Sequence, residues 1–334
     1  MAIVEVVVLR EASPASVAIT FELLAAANRL RRSARRPPCF GVRISGSGAE
    51  WARSFVGPAV TQTRGRADVV IVPGLGWSDE RLIREGLRRP DADIARGRLR
   101  AASRAGAEIA SSCSAVFLVA SAGLLNKRRA TTTWWLAPLF RQLFPEVALE
   151  ADGMVVTDGK LTTAGAAMAQ LDLMLSVIAR HADAELADHC ARLLLLDERR
   201  SQSRYMAISY LTAADERIGR AERWARRRLH KALSIPELAA AAGLGVRTFA
   251  RRCERATGLS PIRLVQRLRV EKAVELLETT HLGLDDIAQR VGYAESSTLR
   301  KLLRRDMALG ARAMRAGQSL APHAGRGRIA RQSG

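Results

Sequence analysis

The chain has 334 residues, 53 Lys+Arg against 33 Asp+Glu, a formal net charge of +20, and 48% apolar residues. That length suits two domains, and that apolar fraction can fill real cores, so a mainly disordered chain is excluded. Its four cysteines, Cys39, Cys113, Cys190 and Cys253, form no CxxC pair. This is neither a disulfide framework nor a zinc ribbon, and it suits a reducing cytoplasm. The opening Met1–Glu5 lacks the basic start of a secretory signal. The uncharged stretch Ile109–Asn126 approaches membrane-span length, but its serines and glycine read better as a buried strand entering a helix. A soluble cytoplasmic protein with no membrane segment is expected.

In the first half, strand-like runs recur at Ile3–Leu9, Gly41–Ser45, Val69–Val72 and Glu108–Ser111, with helical stretches between them. Continuous apolar strands alternating with helices predict an α/β domain, a parallel sheet flanked by helices in the flavodoxin-like manner. Asp68–Gly76 reads as a buried strand ending in a Pro73-Gly74-Leu75-Gly76 turn. Ile109–Ala120 reads as a strand, a sharp turn at Cys113 and a helix. Ligands of open α/β sheets collect at the carboxyl ends of strands. A thiol at such a turn lies beside the positive end of a helix, which lowers its pKa and favours thiolate. The alternative is that Cys113 is simply a small buried residue.

No cofactor fingerprint is present: Gly74-x-Gly76 stands alone, and GxGxxG and Walker patterns are absent. His181, Asp188, His189 and Cys190 have no ligand spacing, so no metal site is expected. Helices from Leu186 to Ala213, with a polar junction at Asp197–Arg204, are expected to join the two parts.

The last third repeats itself. Leu238-Ala239-Ala240-Ala241-Ala242-Gly243-Leu244 and Ile287-Ala288-Gln289-Arg290-Val291-Gly292-Tyr293 share one pattern at an offset of 49, and Phe249 matches Leu299 at an offset of 50. Each copy reads as a short helix, a glycine turn and a second helix, a helix-turn-helix present twice. Ser234 and Glu237 have capping-box spacing, Gly258 ends a helix, and Ser260-Pro261 starts the next. In that connecting helix Ile262, Val265, Leu268 or Arg269, Ala273, Leu276 and Leu277 form a stripe expected to brace both copies. Phe249, Cys253, Leu299 and Leu303 should face inward. Val246, Arg247, Thr248 and Arg251 in copy one, and Ser296, Ser297, Arg300 and Lys301 in copy two, should face out. From Asp215 onward the net charge is +13, against +7 before it, and nearly all of it is Arg. Arg suits phosphates and guanine edges, although it also accumulates in proteins of high-GC coding origin.

Gly243–Arg252, Thr257-Gly258-Leu259-Ser260-Pro261, and Ile287-Ala288 with Val291-Gly292-Tyr293 resemble the DNA-binding domain of AraC/XylS-type transcription regulators, over about Ile218 to Arg315. The family usually has Phe where Cys253, Leu299 and Leu303 stand, and its closing Pro and Tyr are missing from Met307–Arg315. Copy one is therefore expected to read more sequence than copy two. Pro73–Gly76, the Cys113 turn, Ala122–Leu125, Ala130–Trp134, Leu161–Gly165, and Glu22-Leu23-Leu24 with Ala27-Asn28 resemble the PfpI-like, class I glutamine-amidotransferase-like domain. In the GlxA-type branch that domain is fused to an AraC-type one.

The resemblance implies a sensor domain over 1–190, a helical linker over 191–217, a double helix-turn-helix domain over 218–316 and a disordered basic tail over 317–334. The usual His of the PfpI-like domain falls on Thr133, and its usual acidic residue falls around Ser16. Cysteine hydrolysis needs a base near the thiol, so no enzyme and no catalytic residue are expected. What remains is a degenerate pocket lined by Cys113, Ser114, Gly74, Leu75, Gly76, Thr133 and Trp134, with Trp134 or Trp135 alternatively plain core. The expected function is a DNA-binding transcription regulator acting as a homodimer on double-stranded promoter DNA and controlled by a small-molecule effector. A cysteine-dependent hydrolase or amidase with an accessory DNA-binding domain, and a constitutive architectural DNA binder, are the alternatives.

Overall fold

The apolar run after Met1 forms β1 (Ala2–Val7), followed by α1 (Pro14–Ser33), β2 (Phe40–Ser45), α2 (Ala49–Ala52), β3 (Thr61–Gln62) and β4 (Val69–Val72). Next come α3 (Glu80–Leu87), α4 (Pro90–Arg104), β5 (Glu108–Ser112), α5 (Ala115–Ser121), β6 (Arg129–Ala130) and α6 (Ala137–Leu143). The series continues with β7 (Ala148–Leu149), β8 (Val155–Asp158), β9 (Leu161–Ala164), α7 (Ala169–His181) and α8 (Ala184–Leu193). The computed structural model describes residues 1–307 apart from Glu198 and Arg200, with the side chains of Arg204 and Met307 also outside the description. The chain divides into one unit over Met1–Ala207 and a second from Ile208 onward.

Among the described residues, the first unit carries a seven-stranded sheet of order β3-β2-β1-β4-β5-β9-β8 and a separate β6-β7 pair. Among the described strand pairs, β8-β9 is antiparallel and the others are parallel. Every residue of β4 is buried, as expected where helices cover both faces of a parallel sheet. The expected α/β fold is present, and Ile109–Asn126 enters the interior as β5 and α5. No described helix is long and apolar enough to cross a membrane. The long helix α1 starts where Ser13 caps it and Pro14 supplies a preset φ. Its Asn28 is fully buried and clamps the sheet edge: Nδ2 donates to the carbonyls of Phe40 (2.8 Å) and Ala59 (3.0 Å), while Oδ1 accepts from the Cys39 and Phe40 amides.

The second unit is helical: α9 (Ile208–Ala213), α10 (Glu216–Arg226), α11 (Ile235–Ala241), α12 (Val246–Thr257), α13 (Pro261–Thr279), α14 (Leu284–Arg290) and α15 (Ser296–Met307). The connecting helix α13 departs from the expected stripe. Val265, Leu268, Ala273 and Leu277 are buried as expected, but Ile262 is exposed and Leu276 half-buried, while Leu264, Arg267 and Val270 are buried as well. Helices α9, α12, α14 and α15 all contact this helix. Its buried positions therefore wrap around it, which a single-stripe reading misses. The closing segment after Met307 and the expected disordered tail lie outside the described residues.

Candidate functional sites: a nucleic-acid interface and a buried thiol turn

The two copies in the second unit superpose in length as well as pattern. Helices α11 and α14 start 49 residues apart and α12 and α15 start 50 apart, with equal lengths in each pair. Ser234 accepts from the Glu237 amide and Glu237 reaches back to Ser234, the full capping box. Gly243 (φ +65°) and Gly292 (φ +86°) make the turns in the left-handed region, and Gly258 (φ +71°) ends α12. Phe249, Cys253, Leu299 and Leu303 are fully buried, as the repeat predicts, and burial pushes the Cys253 thiol up to about 11.

The opposite faces of α12 and α15 carry Val246, Arg247 and Arg251, and Ser297, Arg300 and Lys301, all exposed. Thr248 and Ser296 are half-buried. The Ser297 hydroxyl donates to Glu295 (2.9 Å). Among the described residues, no ion pair engages Arg247, Arg251, Arg300 or Lys301. Arg252 beside them is engaged, pairing at 2.8 Å with Asp215, the N-cap of α10. The exposed set is thus four cations without ion pairs among the described residues, in the first halves of two equivalent helices, a pattern suited to phosphates and base edges.

In the first unit, Cys113 follows β5 with φ +54°, a left-handed conformation that few non-glycine residues hold. Its N–H donates to the Gly165 carbonyl (2.8 Å), and its own carbonyl accepts from Thr132 Oγ1 (2.7 Å). The β4 turn closes on it. A Cβ on Gly74 would stand 3.2 Å from Cys113 Cβ and 3.0 Å from Ser16 Oγ, so glycine lets the two turns approach this closely without displacing either side chain. Ser114 Oγ donates to the Leu75 carbonyl (2.7 Å), and the Ser13 amide to the Gly74 carbonyl (2.8 Å). Of the expected lining, Cys113, Ser114, Gly74, Leu75 and Thr133 therefore meet at the carboxyl ends of β4 and β5. Gly76 is exposed, its amide donating to the Glu11 carbonyl (2.8 Å), and Trp134 packs edge-to-face on Trp135 (centroids 5.4 Å).

The expectation of a thiolate is corrected. Cys113 is 6% exposed, and burial pushes its thiol up, only partly opposed by the Ser114 amide and hydroxyl and the Thr133 hydroxyl. Removal from water outweighs these hydrogen bonds as an influence on the sulfur. Among the described residues of this unit, neither histidine serves as a base here: His181 Nε2 bonds Glu108 Oε2 (2.8 Å) at the opposite end of β5, and His189 is exposed on α8. Instead, Ser16 Oγ is buried without a hydrogen-bond partner, and Thr133 Oγ1 is buried beside the Cys113 thiol with no other partner.

Two contributors were not legible in the sequence. Ser112 Oγ donates to Gln170 Oε1 (2.6 Å), and Gln170 Nε2 to Thr20 Oγ1 (2.9 Å), whose own proton goes to the Ser16 carbonyl (2.7 Å). Gln202, expected in a polar junction, is 1% exposed and donates to the Thr132 (2.8 Å) and Ala151 (2.7 Å) carbonyls. It also fills the space a Cβ on Gly165 would need. No local pattern signals either contact, because the partners lie far apart in sequence.

Residues 238–317 match the helix-turn-helix domain family. The chain is 23% identical over 225 residues to the HTH-type transcriptional regulator GbdR of Pseudomonas aeruginosa, covering 66% of this chain and 61% of that protein. It is 26% identical over 218 residues to the HTH-type transcriptional regulator GlxA of Rhizobium meliloti, covering 61% and 64%. It thus spans about three fifths of the length of the curated relatives it matches. Among solved structures, Drosophila melanogaster DJ-1beta aligns at 18% identity with a TM-score of 0.43, covering 59% of this chain and all of that one. Residues 238–317 thus carry a helix-turn-helix domain, and over about two thirds of its length the chain is similar to HTH-type transcriptional regulators, GlxA among them.

Proposed function

We propose that this protein is a sequence-specific DNA-binding transcription regulator whose two reader helices, α12 and α15, enter successive major grooves of one duplex. The observation that carries the reading is the duplicated exposed set: Arg247 and Arg251, then Arg300 and Lys301, with no ion pairs among the described residues. Helix α13 braces both copies; its 19 residues span about 28 Å at 1.5 Å per residue. Successive grooves recur about every 34 Å, so a brace of this order suits the task. A homodimer would place two such pairs on one operator.

The first unit is proposed as the sensor, taking a small metabolite at the Cys113 turn. The unpartnered Ser16 hydroxyl supports a ligand that offers a hydrogen bond there, since a buried hydroxyl left unsatisfied costs about 1–3 kcal/mol. Control would follow if the metabolite prefers one arrangement of the regulator over another. Hydrolysis is disfavoured by the neutral groups at both helper positions and by the protonated thiol.

The test is a mobility-shift titration with genomic fragments across salt. Protection of a promoter-sized site with a steep salt slope supports the reading; a flat salt response overturns it.

A further inference from the structure

The second unit holds a cleft of about 380 Å³ that belongs to neither proposed site. It opens between the start of α11, the first turns of α13 and the Gly292-Tyr293 turn of copy two, at the seam between the two readers. Its walls are apolar, formed chiefly by Leu233, Ile235, Leu238, Pro261, Ile262 and Val265. One end is polar, formed by Gln266, Arg269 and Tyr293. Ile262, which the helical stripe would have buried, stands on this cleft 58% exposed.

The polar end is under-satisfied. Arg269 Nη2 donates to the Lys231 carbonyl (2.8 Å), and its guanidinium lies over the Tyr293 ring, 5.1 Å from the centroid. Arg269 Nε is nonetheless buried with no hydrogen-bond partner, and the buried Tyr293 hydroxyl has the Arg269 guanidinium beside it but no hydrogen bond of ordinary geometry. A buried donor on a cation is the kind of group that a bound acceptor relieves, and an anionic acceptor does so most strongly. Gln266 Oε1 already accepts from Arg263 (3.5 Å), which leaves its amide hydrogens to donate. The cleft therefore presents donors and positive charge at one end and hydrocarbon along its length, within the size range of small-molecule sites.

We propose that this seam is a second small-molecule site, which takes an amphipathic anion: a flat or chain-like hydrocarbon body against Ile235, Ile262 and Val265, and a carboxylate or sulfonate at Arg269, Gln266 and Tyr293. Arg269 joins Lys231, ahead of copy one, to the turn of copy two, so an occupant bears directly on the joint that spaces the readers. The site is independent of the Cys113 turn and does not require the sensor reading to hold. A bare phosphate is the competing source of negative charge, and the apolar walls disfavour it.

Equilibrium dialysis of the full chain with 2-naphthoate tests this. Saturable uptake of one equivalent is expected, weakened about tenfold for neutral 2-naphthamide and barely displaced by inorganic phosphate at matched ionic strength. Ile262→Asp, at an exposed position and so expected to leave the melting temperature within a few degrees, sets an anion at the mouth and should weaken uptake about tenfold; Ile262→Lys should not. Arg269→Gln should weaken it similarly. Non-saturable uptake, displacement by phosphate at equal concentration, or uptake unchanged in both Ile262→Asp and Arg269→Gln would each overturn the proposal.

Discussion

Gly243 and Gly292 occupy the same position in the two copies, and the structure sets them apart. Both have positive φ, so alanine at either position incurs the left-handed penalty of about 1–2 kcal/mol. At Gly243 nothing more is owed, because the nearest atom to an added Cβ is Arg220 Nη2 at 3.8 Å. At Gly292 the added Cβ falls inside contact distance of the Leu229 carbonyl and 2.7 Å from Arg269 Nη2. Arg269 must then leave Lys231 and the Tyr293 ring, a loss of about 1.5–3 kcal/mol for the charged hydrogen bond alone. Gly292→Ala should thus exceed Gly243→Ala by about 2 kcal/mol or more, roughly thirtyfold in local opening. Amide exchange measures this: across α15 at Leu299, Leu302 and Leu303 in Gly292→Ala, and across α12 at Phe249 and Cys253 in Gly243→Ala. Equal acceleration in the two variants would refute the reasoning, because it would mean backbone conformation alone sets the cost.

Other expectations follow from the same geometry. Arg247→Ala with Arg251→Ala should weaken specific DNA binding more than Arg300→Ala with Lys301→Ala, and each pair should flatten the log-log salt slope by up to about 2; equal losses of specificity would remove the ranking of the copies. Cys113 should react with iodoacetamide at pH 8 much more slowly than a free thiol, since burial holds it protonated. Gln202→Ala should speed that alkylation by loosening Thr132 and Gly165 beside the thiol, and an unchanged rate would show that the clamp does not act on it.

The buried Glu5 carboxyl is raised by burial but pulled further down by the Ser45 hydroxyl and the Arg43 and Arg98 guanidiniums, so it lies below its ordinary value. Its contribution is then present above the unfolded pKa of about 4.3 and lost as pH falls through the lower folded value. Glu5→Gln should lose about 3 kcal/mol at pH 7, the low end for a broken buried pair because both guanidiniums still touch water, with the gap from the native protein narrowing at acid pH in denaturant titrations.

Local chemistry made much of this molecule legible in the sequence. Ser234 with Glu237, Gly243, Gly258, Ser260-Pro261 and Gly292 act through their own backbone neighbours. The turns and caps of both copies, and the inward set Phe249, Cys253, Leu299 and Leu303, could therefore be read from spacing alone. The strand runs were legible for a related reason, since a parallel strand covered on both faces must be continuously apolar. Tertiary structure decided whatever depends on which distant surfaces meet. Helix α13 buries Leu264 and Arg267 yet exposes Ile262, because packing against several helices replaces a single stripe. The Cys113 thiol is pushed up because surrounding elements remove it from water, an influence that outweighs the hydrogen bonds it receives. Ser16 and Thr133 face a common turn, and Gln202 reaches back to brace it. Hydrogen bonds between residues tens to more than a hundred positions apart leave no periodic trace in a chain, so only the assembled fold reveals them.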